Sequence, residues 1–236
     1  MKPVVVFRHA RTEGAGYLGT FLEQNEIPWQ EVRIDLGETM PVSARDFSGL
    51  VFMGGPMSVN DDLPWIPPAL DLIREAVQAD IPVLGHCLGG QFMSKALGGV
   101  VCKNPVKEIG WGEVRVIESP EAKKWFGDNQ GFLSFHWHGE TFSLPKDATH
   151  ILTSQYCANQ AWSMGKHLAF QCHVEMTEEM VKIWCDTGSE EMQSCVGLPS
   201  VQTKEIMQQD LSKRVADLNT VAKNIYQVWV QGLLKA

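Results

Sequence analysis

Apolar positions in the first hundred residues fall into two alternating textures. Short continuous runs at residues 4–7, 32–34, 50–53 and 82–84 predict four buried strands. Between them the spacing turns helical. A helical stretch holds residues 20–24, and Pro67-Pro68 opens a helix whose stripe is Leu70, Ile73, Ala76 and Val77. The fourth strand runs directly into Gly85-His86-Cys87-Leu88-Gly89-Gly90-Gln91 and a helix that continues through Ala96. This β-α-β-α rhythm predicts a parallel sheet with helices on both faces.

Beyond Gly98-Gly99 the texture changes. Residues 114–117 alternate, as does the region from Ile151 to Gln171, where Gly165-Lys166-His167 separates two strand-like runs as a hairpin would. From about Thr177 the pattern is helical. Leu211, Val215, Leu218, Ala222, Ile225 and Trp229 recur at steps of four and three. That seam suits a helix lying on its own domain or a homodimer interface. The expected organisation is one α/β domain over residues 1–185, followed by a helical extension over 186–236, packed on that domain or in a dimer.

Composition narrows the function. The chain has 236 residues, 44 % of them apolar, enough for one well-filled α/β core. Its net charge is -8 and it has no Lys/Arg run, so nucleic acid is not an expected partner. No apolar run reaches the roughly 20 residues of a membrane span, and the first apolar stretch is too short for a signal peptide. A cytoplasmic setting is expected, with all six cysteines reduced. Cys102, Cys157, Cys185 and Cys195 are expected to be small buried apolar residues.

Cys87 stands apart because of its setting. A sharp strand-to-helix turn lifts the middle side chain above the sheet edge, and flanking glycines let the backbone make that turn. The following helix aims its N-terminal amides at the same place, which favours a thiolate and a developing oxyanion. Such an elbow serves acyl transfer. A cysteine nucleophile needs a base, and the base needs an orienting group. In the extended segment Phe170-Gln171-Cys172-His173-Val174-Glu175, His173 and Glu175 face the same side. His136 and His138 are close in sequence, as metal ligands can be. No carboxylate or cysteine set joins them at fixed spacing, so no metal and no cofactor is expected.

Five motifs in order resemble the class I (triad) glutamine amidotransferases, over roughly residues 1–185. Gly54-Gly55-Pro56-Met57 is similar to that family's oxyanion loop, and residues 85–91 to its nucleophile elbow, with Gly98-Gly99 following. Trp137-His138-Gly139-Glu140, with Leu144-Pro145, resembles a loop that shapes the glutamine pocket. Asn159-Gln160-Ala161-Trp162 and residues 170–175 resemble the closing hairpin. The nearest group is the stand-alone, GMP-synthase-like amidotransferases, which also includes γ-glutamyl peptidases.

The resemblance implies a flavodoxin-like three-layer sandwich with a mostly parallel central sheet and the site at the carboxyl ends of its strands. It implies that Cys87 attacks a γ-glutamyl amide, that His173 moves the proton and that Glu175 orients His173. It further implies oxyanion amides at Gly55 and Leu88 and a substrate pocket lined by Gln91, His138 and Gly139. Implied partners are L-glutamine or another γ-glutamyl compound, and a separate synthetase subunit that receives the ammonia. The alternatives are a γ-glutamyl peptidase and a non-catalytic ligand sensor.

Two departures from the family pattern stand out. Val174 replaces the usual proline. His86 replaces a small or apolar residue before the nucleophile and is expected to point away beneath the sheet. Residues 5–13 also resemble the start of histidine phosphatases, but Ala10 stands where those have glycine. Glu13-Gly14-Ala15-Gly16 better fits the first loop of the GMP-synthase-like group, with His9 expected at the site entrance.

Overall fold

The computed structural model describes residues 1–233; residues 234–236 of the expected extension lie outside the described residues. The strands are β1 (Val4–Arg8), β2 (Trp29–Arg33), β3 (Gly49–Phe52), β4 (Val83–His86), β5 (Val101–Val116), β6 (Gly131–Phe142), β7 (Thr149–Ser154), β8 (Ala161–Met164) and β9 (His167–Phe170). The helices are α1 (Gly16–Gln24), α2 (Ile66–Gln78), α3 (Leu88–Ala96), α4 (Pro120–Phe126), α5 (Glu178–Thr187), α6 (Ser189–Ser194), α7 (Lys204–Gln208) and α8 (Leu211–Val230).

Among the described residues, the nine strands form one sheet in the order β2-β1-β3-β4-β9-β8-β7-β5-β6. The pairs from β2 through β9 are parallel, and those from β9 through β6 antiparallel. Within the parallel half, β1, β3 and β4 are buried on both faces, which is why their apolar residues follow one another with no alternation. Its order is that of a flavodoxin-like, doubly wound sheet flanked by helices.

The antiparallel half is larger than the sequence pattern suggests. β5 and β6 are long strands, and the segment Trp137-His138-Gly139-Glu140 lies within β6 rather than in a loop. Their register breaks between Lys103 and Glu108, where the chain around Pro105 bulges away from β6. Asn104 Nδ2 holds that bulge by donating to the carbonyls of Val106 (2.6 Å) and Tyr156 (2.9 Å).

The tail is helical, as its periodicity predicts. Thr177 caps α5, its hydroxyl accepting from the Met180 amide at 3.2 Å. The seam positions Leu211, Val215, Leu218, Ala222, Ile225 and Trp229 of α8 are buried within the chain itself, against α1 and α4. Before α7, Gln202 bonds both backbone groups of Trp111 at 2.8 Å and so ties the tail to β5. Cys157 and Cys185 are buried as expected. Cys102 is exposed and Cys195 partly so, because Cys102 sits on the outward side of β5 and Cys195 follows a surface turn of α6.

Two glycines set the geometry where α3 leaves β4. A Cβ on Gly89 would overlap the Phe52 carbonyl oxygen, and one on Gly85 would lie 2.5 Å from the Gly89 carbonyl carbon. The first turn of α3 can therefore sit directly on β3 and β4 only with glycine at both positions. Gly89→Ala is expected to cost about 3 kcal/mol in urea unfolding, through a backbone collision that cannot relax cheaply. Gly98→Ala is expected to cost about 1 kcal/mol, for φ strain alone, since nothing lies within 4 Å of its Cβ position. Equal costs would mean that close approach is not what requires Gly89.

Candidate active site

Cys87 occupies the turn between β4 and α3 with φ 51° and ψ -107°, a conformation a residue with a Cβ adopts only under constraint. The constraint is visible: the Cys87 amide donates to the Phe170 carbonyl at 2.9 Å, and the Gln91 amide donates back to the Cys87 carbonyl at 3.0 Å. The thiol is buried at the floor of a cavity of about 810 Å³. Trp137 O lies 3.9 Å from its sulfur, and Gln171 Nε2 lies 3.6 Å away on another side.

β9 delivers the second group. Just beyond its end His173 and Phe135 exchange backbone hydrogen bonds, and the His173 ring lines the same cavity as Cys87. Its Nδ1 lies 2.7 Å from Glu175 Oε1, both residues being almost fully buried. Burial lowers the His173 pKa, but the Glu175 carboxylate and the Cys87 thiol group together raise it well above the ordinary value. Burial likewise raises that of Glu175, yet the His86 and His173 rings outweigh it and bring it down to about 2. A thiol, an imidazole and a carboxylate in this order can support nucleophilic attack on a carbonyl, with the imidazole moving the proton.

His86 sits beneath the sheet edge as expected, and it is not idle there. Its Nε2 lies 3.6 Å from Glu175 Oε2, on the opposite side from His173, and 3.1 Å from the Tyr226 hydroxyl of α8. His9 is not at the entrance. It is buried among Phe52, Trp65 and Phe92, its Nδ1 3.0 Å from Met53 O, and burial lowers its pKa to about 4.

Gly55 and Leu88 face each other at the cavity, where a Cβ on Gly55 would lie 2.9 Å from the Leu88 side chain. Leu88 opens α3, so its amide belongs to the first turn, which has no intrahelical acceptor. Gln91, His138 and Gly139 also line the cavity. Gln91 Nε2 donates to Gln171 Oε1 at 3.2 Å, so the two amides form a short chain leading to the thiol. Both ring nitrogens of His138 face groups inside the protein, Glu108 Oε2 and Glu140 O, each at 2.9 Å.

The class-I glutamine amidotransferase family model matches residues 21–182, a span that holds Cys87, His173 and Glu175. The chain belongs to this family. A glutamine amidotransferase crystal structure from Methylobacillus flagellatus superposes with a TM-score of 0.97 at 44 % identity, covering 100 % of this chain and 97 % of that one. The glutamine amidotransferase-like protein YfeJ of Salmonella typhimurium is 31 % identical over 80 % of this chain and 82 % of its own length. A Wolinella succinogenes GMP synthase is 36 % identical over 48 % of this chain, a match spanning only 21 % of that longer protein. Gamma-glutamyl peptidase 3 of Arabidopsis thaliana is 25 % identical over 70 % of this chain and 69 % of its own length.

Other residues that line the cavity were not singled out as site residues in the sequence. The tail brings Trp184, Gly188 and Glu191 over the cavity. Glu191 pairs with Lys107 and accepts from Trp137 Nε1 at 2.7 Å. Glu13, just past β1, also reaches the cavity. Only a glycine at position 54 leaves room for its carboxyl, which a Cβ there would overlap. Its position after the first parallel strand, where such sheets bind ligands, was the available signal.

Burial raises the Glu13 pKa from 4.5 to about 7, with His173 opposing the rise. A carboxyl with a raised folded pKa holds its proton more tightly when folded. Its contribution to stability is complete below pH 4.5 and is lost as pH rises through 7. Between pH 5 and pH 8 the wild type is therefore expected to lose stability relative to Glu13→Gln in urea unfolding. Parallel pH profiles would contradict the raised pKa.

Proposed function

We propose that this protein is a Cys-His-Glu amide hydrolase that cleaves γ-glutamyl amides through a thioester on Cys87. The observation that carries this reading is the convergence of a strained, helix-capped cysteine with a buried His173–Glu175 pair on one cavity. Cys87 gives its proton to His173 and attacks the γ-carbonyl carbon. The amides of Gly55 and Leu88 receive the developing oxyanion. As the C–N bond breaks, His173 protonates the departing ammonia or amine. Water, deprotonated by His173, then cleaves the thioester and returns the thiol. Glu175 holds the imidazole in the tautomer that both transfers need.

Free glutamine with ammonia passed to a separate synthetase subunit is one form of this chemistry. Hydrolysis of a γ-glutamyl compound with a bulkier leaving group is the other. The cavity favours the second: at about 810 Å³ it lies toward the upper end for drug-sized ligands and exceeds what glutamine fills. It is also walled by Trp137, Trp184 and Glu191, the last two contributed by the tail helices. The relative named gamma-glutamyl peptidase 3 is consistent with that choice.

Ammonia release from L-glutamine, beside amine release from γ-glutamyl dipeptides, tests both forms. Cys87→Ser is expected to abolish turnover of either substrate with the melting temperature nearly unchanged. His173→Ala is expected to lower kcat by about 10⁴-fold. Retained activity in Cys87→Ser would remove it as the nucleophile, and a loss under about tenfold in His173→Ala would point to another base. Turnover of glutamine alone would reject the larger leaving group.

A further inference from the structure

A second cluster of titratable groups reaches from His138 in the cavity wall back into the sheet, and the acyl-transfer steps draw no proton from it. Glu108 on β5 and His136 and His138 on β6 have side chains no more than 5 % exposed, and their ligand atoms all lie within 4.8 Å of one another. The carboxylate nearest to them in sequence, Glu140, turns its side chain to Ser58 instead, so the cluster takes one from elsewhere. Strand register supplies one, because β5 and β6 place Glu108 directly opposite His138.

The outer nitrogen of each imidazole is held by a backbone carbonyl. His138 Nδ1 donates to Glu140 O at 2.9 Å and His136 Nε2 to Gly112 O at 3.3 Å. A carbonyl only accepts, so those nitrogens carry the ring protons. In a neutral ring the remaining nitrogen is then a lone pair. Both inner nitrogens face the same Glu108 Oε2, His138 Nε2 at 2.9 Å and His136 Nδ1 at 3.9 Å. Two lone pairs and a carboxylate oxygen thus converge on one spot, which one cation would satisfy together. An outer N–H fixed by a backbone carbonyl is also how metal-bound imidazoles are oriented.

Gln160 is an independent observation. Its Nε2 lies 2.7 Å from Glu108 Oε2 and 3.4 Å from His136 Nδ1, while its Oε1 is buried without a partner. A half-turn of the amide exchanges the two atoms and presents the orphaned oxygen to the cluster. Ser154 Oγ donates to Glu108 Oε1 at 2.8 Å and holds the carboxylate from behind.

We propose that Glu108, His136 and His138 form a binding site for a divalent transition-metal ion, with Gln160 Oε1 as fourth donor. Two imidazoles and two oxygens suit Zn²⁺ in four-coordinate geometry. The 2.9 Å and 3.9 Å separations bracket the roughly 3.3 Å expected between donors around zinc with bonds of about 2.0–2.1 Å. The ion would tie β5, β6 and the segment before β8 together behind His138 and Gly139, fixing that wall of the pocket. The proposal holds whether or not Cys87 is a nucleophile.

The test uses the full chain carrying Cys87→Ser, so that the thiol beside His173 cannot supply a ligand. After treatment with a chelator and dialysis against Zn²⁺, elemental analysis is expected to find one zinc per chain. Glu108→Gln and His136→Gln in the same background are expected to bind at least about 100-fold more weakly. Co²⁺ is expected to give the visible bands of a four-coordinate nitrogen and oxygen site, with no thiolate-to-metal band. This measurement stands even if the variants fail to fold. Substoichiometric zinc, undiminished binding in both variants, or a cobalt spectrum with thiolate character would each overturn the proposal.

Discussion

Glu175 is a carboxylate kept charged where water does not reach, and the architecture around Cys87 follows from that. Burying an unpaired carboxylate costs several kcal/mol even after the protein relaxes. Here His173 supplies a 2.7 Å hydrogen bond to one oxygen, and the His86 ring stands 3.6 Å from the other. Burial lowers the pKa of His86 although Glu175 opposes that, while the pKa of His173 is raised, so His173 is the better placed of the two to carry the compensating charge. That couples the two functions of the pair. Glu175 fixes the tautomer of His173, and a charged His173 offsets the cost of keeping Glu175 buried. The Tyr226 hydroxyl, 3.1 Å from His86, extends the chain of contacts into α8. The long tail helix therefore reaches beneath the same group that the first turn of α1 packs against, where the Tyr17 amide donates to Glu175 O at 2.8 Å.

The second constraint is steric. Cys87 is held at positive φ because α3 begins flush against β3 and β4, and Gly85 and Gly89 are the residues that allow this. The strain is local, offset by the buried sheet around it, and it aims the sulfur and the helix N-terminus into one cavity. The carboxyl ends of β1, β3, β4 and β9 bring Glu13, Gly55, Cys87 and His173 to a common edge. The bulge of β5 and the tail close that edge from above.

What the sequence disclosed were the parts with local signatures. The elbow shows as glycines flanking a cysteine after an apolar run, and His173-Val174-Glu175 shows as alternation. The parallel strands show as unbroken apolar stretches. Hidden parts depend on partners distant along the chain. β6 alternates too little to stand out, because residues such as His136 and His138 are polar yet buried against Glu108. Glu108 itself looks like an ordinary surface glutamate until register places it opposite His138. His9 has the composition of a site residue, but the packing of Phe52, Trp65 and Phe92 encloses it. The raised pKa of Glu13 arises from burial against Gly54, which no pattern near residue 13 announces.

Family membership, a doubly wound sheet and a cysteine at its carboxyl edge leave the substrate open, since fold alone does not choose it. The walls that would choose it come from the bulge and the tail. Cleavage through Cys87, however, makes one demand that any γ-glutamyl substrate must meet: an acyl group must reside on that sulfur during turnover. Rapid acid quench of the enzyme with excess substrate, followed by mass analysis of the digested chain, tests this most directly. The account predicts a γ-glutamyl thioester on the peptide containing Cys87, absent in Cys87→Ser and scarcely formed in His173→Ala. Turnover with no acyl group on that peptide, or with the acyl group on another residue, would contradict it.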